Sequence, residues 1–188
     1  KDYTNVIIEE ADRLRNLVDR MLGSNKLPNL APTNIHEVLE RVSSLVEAES
    51  QGSITLVRDY DPSIPDLLID REQLIQAVLN IVQNAAQALQ SRMAAGDACI
   101  TLRTRVARQV TIGKQRWRLA LELHIEDNGP GVPAEIRDRI FFPLVSGREG
   151  GSGLGLTLAQ TIAQQHQGMI DCESEPGLTN FRITLPLP

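Results

Sequence analysis

Residues 70–89 read DREQLIQAVLNIVQNAAQAL, and no charged side chain occurs between Glu72 and Arg92. Projected at about 100° per residue, Gln73, Gln76, Asn80, Asn84 and Gln87 fall in one stripe roughly 80° wide. Leu74, Val78, Ile81, Val82, Ala85 and Leu89 fill the opposite side. Asp70 is a good helix cap, with Gln73 three residues on. A solvated helix face is ordinarily built from Lys and Glu, which pair at i,i+4 and keep the surface soluble. An amide-only stripe instead faces something. It is either the hydrogen-bonded side of a buried helix or a binding wall, and this stretch alone does not separate the two.

The rest of the chain supplies the frame. At 188 residues it suits one globular domain plus an appendage. Aromatic residues make up only 3% against 41% hydrophobic, so the core must come from Leu, Ile, Val and Ala. A net charge of -5 without a basic cluster speaks against a nucleic-acid surface. No apolar run reaches the length of a membrane span and no signal peptide is visible, so this segment is expected to meet no membrane. Cys99 and Cys172 lie far apart in strand-like stretches and make neither a metal site nor a disulfide scaffold. They are expected to be buried thiols of a cytoplasmic protein.

Residues 1–22 carry apolar positions at Ile7, Ala11, Leu14, Val18 and Met21, the 4-3-4-3 spacing of a coiled-coil or bundle seam. The alternative is an amphipathic helix packed on its own domain. The pattern is already running at Lys1, so a longer protein is expected to continue upstream. Residues 24–32 read as a linker and 33–188 as the main domain. A helix is expected from Asn34 to about residue 49, with Asn34 and Glu37 as its cap pair and Ile35, Val38, Leu39, Val42, Leu45 and Val46 on its core face. His36 in its first turn reads as exposed. Residues 54–60 read as a strand, and Pro62 and Pro65 punctuate the loop after it. Ile100, Leu102 and Val106 alternate with Arg103 and Arg105. After a turn at Gly113-Lys114, Trp117, Leu119, Leu121, Leu123 and Ile125 alternate with Arg118, Glu122 and His124. The pair predicts an antiparallel hairpin with His124 on its solvated face. A helix bearing Leu154, Leu158 and Ile162 follows, and two strands close the chain, around residues 169–173 and along Phe181, Ile183 and Leu185. Helices segregated from a mixed, largely antiparallel sheet make an α/β two-layer sandwich.

Three features carry chemistry. Asn80 and Asn84 stand one helical turn apart, and an asparagine oxygen is a hard, neutral ligand able to join a Mg²⁺ shell made mainly of phosphate and water. Asp127 ends a strand and is followed by Gly129 and Gly131. A fixed carboxylate there can accept a hydrogen bond from an exocyclic amine, while the glycines let backbone approach a flat base. Gly147, Gly150, Gly151, Gly153 and Gly155 precede a helix, an arrangement that favours phosphate. Taken singly, each also reads as an ordinary amide pair, a β-turn or a glycine-rich connector.

In this order, the asparagine helix, DNGPG, FFP and GGSGLGL resemble the ATP-binding catalytic domain of protein histidine kinases. The helix matches that family's N box, and Asp127, Gly129 and Gly131 its first glycine box. Phe141 to Pro143 match the F box. Gly151, Gly153 and Gly155, with Leu156 beside them, match the second glycine box. The resemblance covers residues 33–188. It implies the Bergerat fold, about five strands covered on one face by three helices, with ATP under a lid of residues 132–150. Residues 1–23 then resemble the end of a dimerisation and phosphoacceptor bundle. PLVSGREGGSGLGL most resembles nitrogen-regulation sensor kinases of the NtrB type, which implies response regulators of the NtrC type and a PII-type signalling protein as partners of a homodimeric full-length enzyme.

The resemblance also implies roles. Asn84 is the Mg²⁺ ligand with Asn80 beside it, Asp127 reads adenine, and the second-box glycines hold phosphate. Phe141 and Thr179 border the nucleotide, although Leu178 stands where the family usually carries a small residue. Relatives that hydrolyse ATP usually carry Glu at the position of Asn80, as a base on water; an asparagine cannot take that proton. Gln87 replaces a common Lys or Arg, so Arg148, with Arg137 and Arg139 behind it, is the candidate cation. His36, His124 and His166 do not stand in the family's acceptor motif, which places the acceptor upstream and leaves the fragment unable to phosphorylate itself. Two other classes remain in view: a GHKL-type ATPase without phosphotransfer, and a nucleotide-gated interaction module.

Overall fold

The computed structural model describes residues 2–23, 27–147 and 153–188. In chain order the elements are α1 (Asp2–Gly23), β1 (Ala31–Thr33), α2 (Ile35–Ser50), β2 (Thr55–Asp59), β3 (Leu67–Ile69), α3 (Arg71–Ala88), α4 (Gln90–Ala95), β4 (Cys99–Ile112), β5 (Gln115–Asp127), a 3-10 turn (Arg137–Arg139), α5 (Gly155–Gln165), β6 (Met169–Glu175) and β7 (Leu178–Pro186). The main sheet has the order β2-β4-β5-β7-β6, with β2 parallel to β4 and every other pair antiparallel.

The period-2 pattern decides which side is covered. Ile100, Leu102, Leu121, Leu123, Ile125, Phe181, Ile183 and Leu185 are all buried. They meet the apolar faces of α2, α3 and α5 in one core. The other side of the sheet is ionic. One row crosses all five strands as Asp59, Arg103, His124, Arg182 and Asp171. Arg103 pairs with Asp59 and Glu126, and Arg182 with Asp171. The edge strand β6 carries Asp171, Glu173 and Glu175. The five-stranded sandwich with helices on one face is the expected fold.

Helix starts follow the capping expectation. The Asn34 side chain accepts from the His36 N–H, and the Asp70 side chain from the Gln73 N–H. Three features differ from expectation. β1 and β3 pair as a small antiparallel sheet, Ala31 opposite Ile69, where linker and loop were expected. His36 is not simply exposed: its ring stacks on Tyr60 at 4.7 Å and its Nε2 lies 2.8 Å from Thr104 Oγ1. His124 is hydrogen-bonded on both sides, to Glu122 and Asn180, rather than solvated. Along α1, Ile7, Ala11, Leu14 and Val18 are exposed. No helix among the described residues is long and apolar enough to cross a membrane.

Candidate functional site

The asparagine pair stands on α3, and the aspartate closes β5. Asn80 and Asn84 lie half-buried on α3, while Gln76 and Gln87 are exposed. Asn80 is held on two sides: its Oδ1 accepts from Gln76 Nε2 at 2.7 Å, and its Nδ2 donates to the Gly155 carbonyl at 3.3 Å. The Gln76 contact uses the i,i+4 spacing of a helix face, the signal that identifies it as Asn80's orienting partner. Gly155 is the first residue of α5, and its Cα faces the Asn80 side chain closely enough that an added Cβ would stand 3.8 Å from Asn80 Cβ. Leu154, at the cap position, makes no side-chain cap hydrogen bond, and its carbonyl accepts from the Leu158 N–H. The start of α5 therefore lies against Asn80, through the carbonyl and the Cα of Gly155.

Asp127 closes β5 at 4% exposure, and its Oδ1 accepts from the Gly129 N–H at 2.9 Å. Gly129 packs so tightly that a Cβ would fall 2.8 Å from that carboxylate oxygen and 3.5 Å from Ala88 at the end of α3. This contact brings the first glycine box to the α3 helix, one turn beyond Asn84. Gly131 has φ +89, and a Cβ there would press on the Glu175 backbone at 3.0 Å. Opposite Asp127 in register is Thr179, also buried, with its Oγ1 2.9 Å from Ser174 Oγ. Ser174 in turn accepts from the Val132 N–H at 2.8 Å. The strand ends thus grip the start of the loop that follows DNGPG. Cys172, behind them, is pushed up to about 12 by burial and by the negative charges of Asp127 and Asp171.

The F box is anchored from both sides. Phe141 is half-buried, edge-on to Phe181 at 6.2 Å, and its carbonyl accepts from Thr157 Oγ1 in the first turn of α5 at 2.9 Å. Leu156, beside Thr157, packs on the core. Gly153 has φ +66 and its carbonyl accepts from the Leu144 N–H at 3.0 Å, tying the end of the loop to its middle. Arg148 and Gly151 lie outside the described residues. Arg137 and Arg139 donate to carbonyls of their own loop, Val132 and Glu135 respectively.

The donor set fits a nucleotide with a phosphate-held cation. A buried carboxylate, glycines that leave no room for a side chain, and an amide wall beside a helix N-terminus lie on adjoining elements. Among the described residues no group of three or more His, Cys, Asp or Glu gathers as a metal cluster. The protein's share of a cation shell at this place would be an amide oxygen. A separate cavity of about 800 Å³ opens between the β4–β5 turn and α5, lined by Trp117, Gln160 and Gln164 among others, and none of the residues above lines it.

The chain is 54% identical over 186 residues to the sensory histidine kinase/phosphatase NtrB of Vibrio alginolyticus, covering 99% of this chain and 52% of that protein. It is 52% identical to the protein of the same name from Salmonella typhimurium, over the same shares. It thus spans about half the length of the curated relatives it matches. In fold it is similar to full-length ShkA, solved in complex with AMPPNP, with a TM-score of 0.74 at 25% identity over 99% of this chain and 38% of that one. Residues 69–188 match the family model described as "Histidine kinase-, DNA gyrase B-, and HSP90-like ATPase". The chain belongs to the histidine kinase-, DNA gyrase B- and HSP90-like ATPase family.

Proposed function

We propose that the chain is the ATP-binding catalytic part of a sensor histidine kinase, passing the γ-phosphoryl group of ATP to a histidine outside these 188 residues. The observation that carries this reading is that α3 is touched at two places, by the start of α5 at Asn80 and by Gly129, beside buried Asp127, at Ala88. Asp127 accepts from the adenine amine, with Thr179 beside it. Gly129 and Gly131 let backbone lie against the base. Gly151, Gly153, Gly155 and the first turn of α5 receive phosphate oxygens. Asn84 would hold Mg²⁺ together with those oxygens, and charge neutralisation on the transferring group is the chemistry the ion would supply there. Asn80, with its amide oriented by Gln76 and Gly155, borders the phosphates without acting as a base on water. Positioning and charge neutralisation supply the rate.

The relatives named above support the acceptor class. The three histidines of this chain are each engaged away from the site: His36 with Thr104, His124 with Glu122 and Asn180, His166 with Asp70. In this reading residues 1–23 end a dimerisation bundle, 24–32 link it to the catalytic domain, and residues 132–150 form the lid. Arg148 supplies the cation that Gln87 lacks. The full-length protein works in the cytoplasm with a response regulator of the NtrC type and a PII-type protein.

Calorimetry with Mg-ATP tests the first half of the proposal. Binding is expected, and none at millimolar nucleotide overturns it. Adding a separately purified phosphoacceptor bundle and γ-labelled ATP tests the second half: label on histidine is expected, and steady release of free phosphate without it favours a plain ATPase. Asn84→Ala should weaken Mg-ATP by about tenfold or more, the scale of one ligand to a charged group, while weakening magnesium-free ATP less. Equal losses would remove the ion from Asn84.

A further inference from the structure

His166 caps the C-terminal end of α5 and is 7% exposed. Its Nδ1 lies 2.7 Å from the carbonyl oxygen of Ile162, one turn back, and its Nε2 lies 3.0 Å from the backbone nitrogen of Asp70. An acceptor on one side and an N–H on the other admit a single neutral tautomer: Nδ1 donates to Ile162 and Nε2 accepts from Asp70. Asp70 is the N-cap of α3, and its carboxylate also takes the N–H groups of Gln73 and Asn29. The backbone at the start of α3 is therefore held by its own helix, by the segment after α1 and by the end of α5.

The same two helices are pinned a second time, where Asn80 donates to Gly155 at the start of α5. α3 and α5 therefore run antiparallel. The spans Asp70 to Asn80 and Gly155 to His166 match, each roughly 15–17 Å at the rise of an α-helix. Apolar packing between helices tolerates small sliding, whereas a directed hydrogen bond at each end does not.

We infer that His166 is a positioning residue for the nucleotide site proposed above. By holding the cap of α3 to the end of α5, it fixes the register of the two helices. It thereby sets where Asn80 and Asn84 stand relative to the phosphate-binding turn of α5. The inference rests on the nucleotide reading only for its functional half; the register itself is read without nucleotide.

Two substitutions separate this role from general stability. The amide oxygen of His166→Gln reaches the place of Nε2 and can accept from Asp70, while the shorter His166→Asn ends near the place of Nδ1 and cannot. In the isotope-labelled 188-residue chain without nucleotide, H166N should shift the Asn80 side-chain amide resonances and H166Q should leave them in place. Mg-ATP affinity should fall about tenfold in H166N, the scale of one lost hydrogen bond, and stay near wild type in H166Q. Unchanged Asn80 resonances in H166N, or equal losses of affinity in both variants, overturn the inference. If the wild-type chain binds no Mg-ATP, the nucleotide reading fails and the Asn80 resonances still decide the register. If H166N does not fold, ring nitrogen shifts of wild-type His166 decide it: a proton on Nδ1 alone supports the clamp, and a proton on Nε2 overturns it.

Discussion

Asp127 is a carboxylate at 4% exposure whose Oδ1 already serves the Gly129 N–H. Burying a charge is costly unless it is used, and at this depth it is held by a backbone donor and by its position at a strand end. Asp127→Asn keeps the shape and replaces an acceptor by a donor on one side. Mg-ATP affinity should fall about 10- to 100-fold, the range for a hydrogen bond between a charged acceptor and a neutral donor, with little change in unfolding temperature. Calorimetry and a thermal melt check both halves. The place of Asp127 at the end of a strand was legible in the sequence, because an alternation that stops at two glycines is a short-range signal. The grip on Asn80 was half legible. Gln76 stands one turn before Asn80 and could have been read as its partner, but Gly155 is 75 residues away and no local pattern announces it.

At the scale of elements, β7 joins the core to the site. Phe181, 1% exposed, pairs with Cys172 and Ile125 across the sheet, and its ring supports Phe141. Phe181→Ala should cost about 3–5 kcal/mol of folding stability, the usual range for emptying a buried aromatic position. Urea unfolding measures it, and a loss under about 1 kcal/mol would mean that the core closes over the gap. The long strands β4 and β5 were legible because a dozen alternating residues leave only one face to bury. β1 and β3 have three residues each, too few to display a period, and they pair across 34 to 38 positions of sequence. The parallel joining of β2 to β4 was hidden for a related reason. A crossover connection carries no turn signal of the kind that Gly113-Lys114 gives to the hairpin.

Over the whole molecule, stability should depend on acid in two steps. Burial holds His36 below its ordinary 6.5, against the opposing charges of Asp61 and Glu40, while Arg58 and Tyr60 hydrogen-bond Glu40 and hold it below its ordinary 4.5. In both cases the unfolded chain takes up its proton first, so stability is complete above the ordinary value and is lost as pH falls beneath it. Urea midpoints should decline below about pH 6.5 and again below about pH 4.5. His36→Gln, which can keep the contact to Thr104, should flatten the first step and spare the second. An unchanged first step would assign it to another group.

The acidic strand at the edge of the sheet has a bearing on what many copies do together. An exposed edge offers unpaired backbone to any passing strand, and sheets that extend from molecule to molecule begin there. Asp171, Glu173 and Glu175 occupy alternate positions of β6. Two copies meeting edge to edge along β6 would bring carboxylates of one strand against those of the other, and like charges across a strand pair repel. The molecule therefore carries a built-in guard against pairing of two copies along β6.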